Sequence, residues 1–135
     1  MQAVAKLSKC PSSPRKMRLV VDQIRGKGVD EALNMLKYIR RETSGKIEKL
    51  VLSAISNWEQ KNDLRPEDYD LFIKEAFVDG GTMLKRLRPA PHGRAHRIRK
   101  RSNHVTIVVD SKVPVDMGNK TEAVEAEDQI EETEE

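Results

Sequence analysis

Between residues 82 and 104 lie eight cationic side chains, Lys85, Arg86, Arg88, Arg94, Arg97, Arg99, Lys100 and Arg101, with no acid among them. A Lys or Arg set beside a phosphate releases condensed counterions, and Arg adds forked N–H donors that match phosphate oxygens. Six of the eight are Arg, a bias toward hydrogen-bonded recognition over plain charge. The same stretch has no aromatic residue, which argues against a platform for stacking single-stranded bases. Contacts to phosphate, ribose and nucleic-acid shape are the chemistry that fits. The bland alternative is a disordered basic loop that binds anions without selectivity.

All three histidines, His92, His96 and His104, fall in this stretch. His92 and His96 have the spacing of a helical metal pair. Pro89, Pro91 and Gly93 oppose a helix there, however, and the surrounding cations oppose a divalent ion. Glu75 and Asp79 share one strand pattern and read as solvated positions. There is no Gly-rich phosphate loop, no nucleophile elbow and no cluster of carboxylates. The expectation is a protein that is not an enzyme and uses no metal or cofactor.

The formal net charge of +3 conceals its distribution. Residues 121–135 carry eight acids and no base; without them 14 acids face 25 bases, a net charge of +11 over residues 1–120. Clustered charge of this size points to a polyanion, and nucleic acid is the commonest one in a cell. An anionic membrane fits less well, because the cluster lacks the apolar face of an interfacial helix. No segment approaches the ~20 apolar residues of a membrane span, and "MQAVAKLSKC" lacks the apolar run of a signal peptide. The single cysteine, Cys10, excludes an internal disulfide and fits a reducing compartment. These features predict a soluble, cytosolic chain with one folded domain over 1–115 and an acidic tail, disordered by composition, over 116–135.

The elements that must carry the cluster follow from periodicity. Residues 2–8 predict a short strand. "SSPRKMRLVVDQIRG" predicts a helix with Ser13 as N-cap, Pro14 at its first position and Gly26 just past its end. Met17, Val20, Val21 and Ile24 form its apolar stripe, while Arg15, Arg18, Asp22 and Arg25 line the other face. Val29, Ala32, Leu33 and Leu36 mark a second helix over 29–39. Ile47, Leu50, Val51, Ala54, Ile55 and Trp58 mark a third over 44–60, with Ser44 as its cap and Trp58 in or at the edge of the core. "KNDLRPEDYD" reads as turn chemistry.

From Tyr69 the period changes to two. "YDLFIKEAFVDGG" and "HVTIVVDS" read as antiparallel strands that flank the basic stretch. A structureless loop of that length would be out of place in a compact domain. Both strands are therefore expected to continue outward as one hairpin over 79–105, with "RPAPHGR" at its tip. Arms of about a dozen residues reach roughly 35–40 Å at ~3.3 Å per residue. Their faces hold too few apolar side chains for a core, and a lone two-stranded ribbon is marginal in water.

"SPRKMRLVVDQIRGKGVDEAL" (13–33) and "KEAFVDGGTMLKRLRPAPHGRAHRIRKRSNHVTIVV" (74–109) closely resemble the bacterial L-twenty-two family of large-subunit ribosomal proteins. The resemblance implies an α+β fold, three helices on a small three-stranded antiparallel sheet with a long basic β-hairpin extension. It implies a structural constituent of the 50S subunit that binds 23S rRNA and aids early assembly. Its partners would be 23S rRNA, neighbouring ribosomal proteins including the L-four protein at the tunnel constriction, and the nascent polypeptide, with no membrane and no homo-oligomer. Carried over by position, Arg15, Lys16, Arg18 and Arg25 of the first helix join the eight arm residues as rRNA contacts. Arg88, Pro89, Ala90, Pro91, His92, Gly93 and Arg94 would be the tip that lines the peptide exit tunnel. Three features depart from the family pattern: Trp58 replaces a small residue, Ala90-Pro91-His92 replaces a tip that is often more basic, and the acidic tail lies outside it. A free-standing nucleic-acid-binding or regulatory protein and a nuclease or metal enzyme are the competing classes.

Overall fold

A computed structural model describes residues 2–113; the acidic segment 116–135 lies outside them. The chain runs β1 (Ala3–Cys10), α1 (Pro14–Ile24), α2 (Val29–Tyr38), α3 (Ser44–Asn62), a 3₁₀ turn (Pro66–Asp68), β2 (Leu71–Pro89), a second 3₁₀ turn (Pro91–Gly93) and β3 (Ala95–Ser111). The strands form one antiparallel sheet in the order β1-β3-β2. This is the α+β architecture that the sequence predicts.

Each helix buries its periodic stripe. Met17, Val20, Val21 and Ile24 of α1 are fully buried, as are Ile47, Val51, Ala54 and Trp58 of α3. At ~1.5–3 kcal/mol for each large apolar side chain removed from water, these two stripes contribute a large share of the core's stabilisation. Pro14 occupies the first turn of α1 and Gly26 takes a φ of 77° beyond its end, as expected. Ser13 is the N-cap residue by position, but its side chain makes no capping hydrogen bond.

The start of α3 differs from expectation. Thr43, not Ser44, stands at the N-cap position. The Ser44 hydroxyl instead lies 2.9 and 2.7 Å from the Ile39 and Arg41 carbonyls, so it ties down the preceding loop. The helix also continues two residues past the sequence boundary. Asn62 donates to the Trp58 carbonyl from inside the last turn, and Asp63 ends the helix in the left-handed region at φ 49°. Trp58 is core, stacked at a tilt on Tyr69 with ring centroids 5.6 Å apart.

On the buried face of the sheet, residues line up in rows across the three strands: Ala3-Val109-Ile73, Ala5-Ile107-Ala76 and Leu7-Val105-Val78. Both outer strands contribute alanines to this face, and the helices pack over them. The β2 edge of the sheet is closed as well, and so is the start of the β1 edge. The 26–28 turn pairs with β2, Gly26 N–H donating to the Ile73 carbonyl at 2.9 Å. Beyond it, Arg25 donates through Nε and Nη2 to the Ala76 carbonyl, and Arg18 does the same to the Val78 carbonyl. On β1, Lys61 and Asn57 of α3 donate to the Gln2 and Val4 carbonyls. An open edge invites another strand, and here side chains occupy it.

Candidate nucleic-acid interface

Beyond Gly80 the helices stop and the two strands continue alone. Register holds from Met83↔Arg101 to Pro89↔Ala95, so the basic stretch is a two-stranded ribbon. Paired residues share a face. Met83-Arg101, Lys85-Arg99 and Leu87-Arg97 make one; Leu84-Lys100, Arg86-Ile98 and Arg88-His96 make the other. Neither face is an apolar stripe, and Leu84 and Leu87 are 58% and 71% exposed. Lys85 and Arg99 stand directly opposite each other, a like-charge pair that weakens the isolated hairpin. An anion along that face relieves the repulsion.

The ribbon's root is built more tightly than its arms. A bulge sets Gly81 and Thr82 against the single residue Ser102. Ser102 Oγ donates to the Thr82 carbonyl at 2.6 Å. A Cβ on Gly81 would lie 2.5 Å from Ser102 Oγ, so glycine is what lets that hydroxyl reach the Thr82 carbonyl. Asn103 is fully buried and donates through Nδ2 to both the carbonyl and the hydroxyl of Ser12. A second bulge, in β1 after Leu7, puts Lys9 at φ 54° and aims its N–H at His104 Nδ1, 3.1 Å away. The loop that leads into α1 is thus tied to the root, and Arg15 and Lys16 of the helix's first turn are exposed.

At the tip a single 3₁₀ turn, Pro91–Gly93, reverses the chain. The Ala90 N–H donates to the Arg94 carbonyl at 2.8 Å and closes it. Gly93 takes the positive φ that its type allows, 70°, but His92 takes one too, at 60°. Nothing in "PAPHG" distinguishes His92 as a left-handed residue. No Lys or Arg lies within residues 89–93, so the charge of the ribbon belongs to its arms.

The arms bring together seven of the eight basic residues of the stretch and Arg94 flanks the tip, while Arg15 and Lys16 follow the loop that is tied to the root. Arg18 and Arg25 are placed otherwise. Both remain exposed, but each commits two of its N–H donors to β2, and Arg25 also pairs with Asp22 at 2.9 Å. The helical period put them on a polar face; only the tertiary fold reveals a strand edge beside it. Glu75 and Asp79 are exposed, as expected, and among the described residues no cluster of metal-ligating side chains forms.

A family model described as "Ribosomal protein L22p/L17e" matches residues 5–110. The chain belongs to this family. It is 67% identical over 108 residues to "Large ribosomal subunit protein uL22" of Flavobacterium johnsoniae, an alignment covering 79% of each chain. Proteins of the same name in Bacteroides fragilis (60% over 108 residues, 80% and 79% covered) and Porphyromonas gingivalis (58% over 107 residues, 79% and 80% covered) are similar along comparable lengths. Membership makes this a ribosomal protein, a structural constituent of the large subunit and not an enzyme. It places the protein in the cytoplasm with the ribosome. Separately, no helix among the described residues is long and apolar enough to cross a membrane. The family match stops at residue 110, so the acidic tail lies beyond it.

Proposed function

We propose that this ribosomal protein binds 23S rRNA chiefly through its ribbon, with the phosphate backbone along both faces. The observation that carries this reading is the cross-strand register. It distributes Lys85, Arg86, Arg88, Arg97, Arg99, Lys100 and Arg101 over two faces, neither of which has a protein partner among the described residues. Arg94 flanks the tip, and Arg15 and Lys16 extend the contact at the root. Arg18 and Arg25 contribute only the donors that β2 leaves free. A ribbon one strand-pair thick can pass between RNA helices where a globular surface cannot, which suits a role in early subunit assembly. The uncharged tip, Pro89 to Gly93 between Arg88 and Arg94, would then border the peptide exit tunnel beside the L-four protein and the nascent chain.

The test is the salt dependence of binding to the rRNA fragment. Six or more neutralised phosphates give a slope of log affinity against log salt of about −4 or steeper, at ~0.7–0.9 per phosphate. Replacing Arg97→Gln, Arg99→Gln and Arg101→Gln together should flatten it by roughly two to three units. An unaltered slope overturns the reading.

A further inference from the structure

Between the end of β1 and the first half of α3 a groove of about 540 Å³ opens. Buried Leu50 and half-buried Leu7 contribute to its apolar floor. Lys9, Lys46 and Lys49 border it, and no acid lies in its lining. Lys46 is 3.5 Å from the Glu42 carboxylate, but Glu42 is 89% exposed, and a pair so placed contributes little. Lys9 and Lys49 have no ion-pair partner among the described residues. Like charges gathered at a concave apolar surface repel one another and draw an anion.

The chain itself carries an anion of matching character. Residues 121–135 hold eight acids and no base, with Ala123, Val124, Ala126 and Ile130 set among them. The acids suit the lysines, and the aliphatic side chains suit the floor. The ribbon is the competing seat because it has more cations, but neither of its faces is an apolar stripe. Reach favours the groove as well. β3 ends at Ser111, and eight residues back along it Asn103 pairs with Cys10 at the groove. That distance is ~26 Å at ~3.3 Å per residue. Residues 112–121 span at most ~33–36 Å, enough to deliver Glu122, Glu125, Glu127 and Asp128 there. The ribbon's middle, where Lys85 pairs with Arg99, lies four residues farther along the strand. A tethered segment has its highest local concentration at a site that its tether just spans.

We propose that in the free protein this groove seats the chain's own acidic segment. Glu122, Glu125, Glu127 and Asp128 lie against Lys9, Lys46 and Lys49, with Val124 over Leu7 and Leu50. Docking there offsets part of the +11 net charge of residues 1–120. The inference stands apart from the binding of rRNA by the ribbon, since neither the contact nor its test involves RNA.

Two measurements on the full chain decide it. Carbodiimide coupling joins a carboxylate only to an amine in contact with it. The expected intramolecular products link Glu122, Glu125, Glu127 or Asp128 to Lys9, Lys46 or Lys49. In parallel, Glu122→Gln, Glu125→Gln, Glu127→Gln and Asp128→Asn together should move amide resonances of residues 8–10 and 46–53 and leave those of Met83 to Arg101 in place. Coupling to Lys85 and Lys100, or to lysines without preference, overturns the inference. Resonance changes that fall on the arms, or nowhere within residues 2–113, overturn it too.

Discussion

The sheet below Gly80 and the ribbon above it are the same two strands, β2 and β3, in two environments. Below, every inward position faces a helix, and the β2 edge is closed by Gly26, Arg25 and Arg18. Above, both faces alternate cation with aliphatic, both edges are open, and like charges sit across from each other. Strand pairing alone therefore does not distinguish the two. The lower half is stabilised by its own chain; the upper half, on our proposal, takes its order from the rRNA it binds. Gly81 and Ser102 mark the boundary, at the bulge where the helices stop.

The largest expected effects separate the halves by stability. Trp58→Ala should cost about 3–5 kcal/mol, since it leaves a cavity beneath Tyr69 in a fully buried site. Leu87→Ala, 71% exposed on the ribbon, should change stability by no more than ~0.5 kcal/mol. Urea midpoints of the two variants make the comparison. A ribbon variant as costly as the core variant would mean that the arms pack in the free protein.

Next come the edge arginines. Arg18→Ala and Arg25→Ala should each destabilise the domain by about 1 kcal/mol, the scale of a partly exposed charged hydrogen bond to a carbonyl. Their effect on the salt slope of RNA binding should be smaller than that of any single ribbon arginine. An arginine variant that leaves the urea midpoint unmoved but flattens the slope would return that residue to the interface.

A smaller effect lies at the boundary itself. Gly81→Ala should cost ~1 kcal/mol or less, because the new methyl displaces the Ser102 hydroxyl from the Thr82 carbonyl. In a Ser102→Ala background the added cost should shrink, and a double-mutant cycle measures the coupling. Equal costs in both backgrounds would place the strain in the backbone, not in the serine.

The smallest effect is a pH dependence confined to the domain. Burial pushes the Asp110 carboxyl up, but favourable hydrogen bonds and charges, the Lys74 ammonium 2.8 Å away first among them, outweigh it and leave it below the usual carboxylate value of 3.8. The pair's stability is therefore present above that value and lost as pH falls through the lowered one. Lys74 is raised above 10.5, chiefly by its hydrogen bond to Asp110, so its contribution holds below 10.5 and fades as pH climbs past the raised value. Asp110→Asn should flatten the acid limb of the stability profile. A profile identical to that of the parent chain would assign that limb to other acids.

Much of this division was legible in the residues. The stripes of α1 and α3, the change to period two after Tyr69 and the run without acids give the three helices, the sheet and the ribbon. Pro14 and Gly26 mark the ends of α1. What was not legible depends on contacts far apart in the chain. Arg18 and Arg25 carry no local sign that a strand edge waits for them 60 and 51 residues away. Ser44 looked like a cap because capping chemistry is local, yet the fold used its hydroxyl on carbonyls of the preceding loop.

The central claim is that the ribbon takes its order from RNA. Amide hydrogen exchange of the free protein and of its rRNA complex tests it most directly. In the free protein, amides from Met83 to Arg101 should exchange near the rate of an open chain, while those of Ile73, Ala76, Ile107 and Val109 stay protected. On binding, protection should spread up both arms to Pro89 and Ala95. Equal protection of ribbon and sheet before RNA is added would contradict the account.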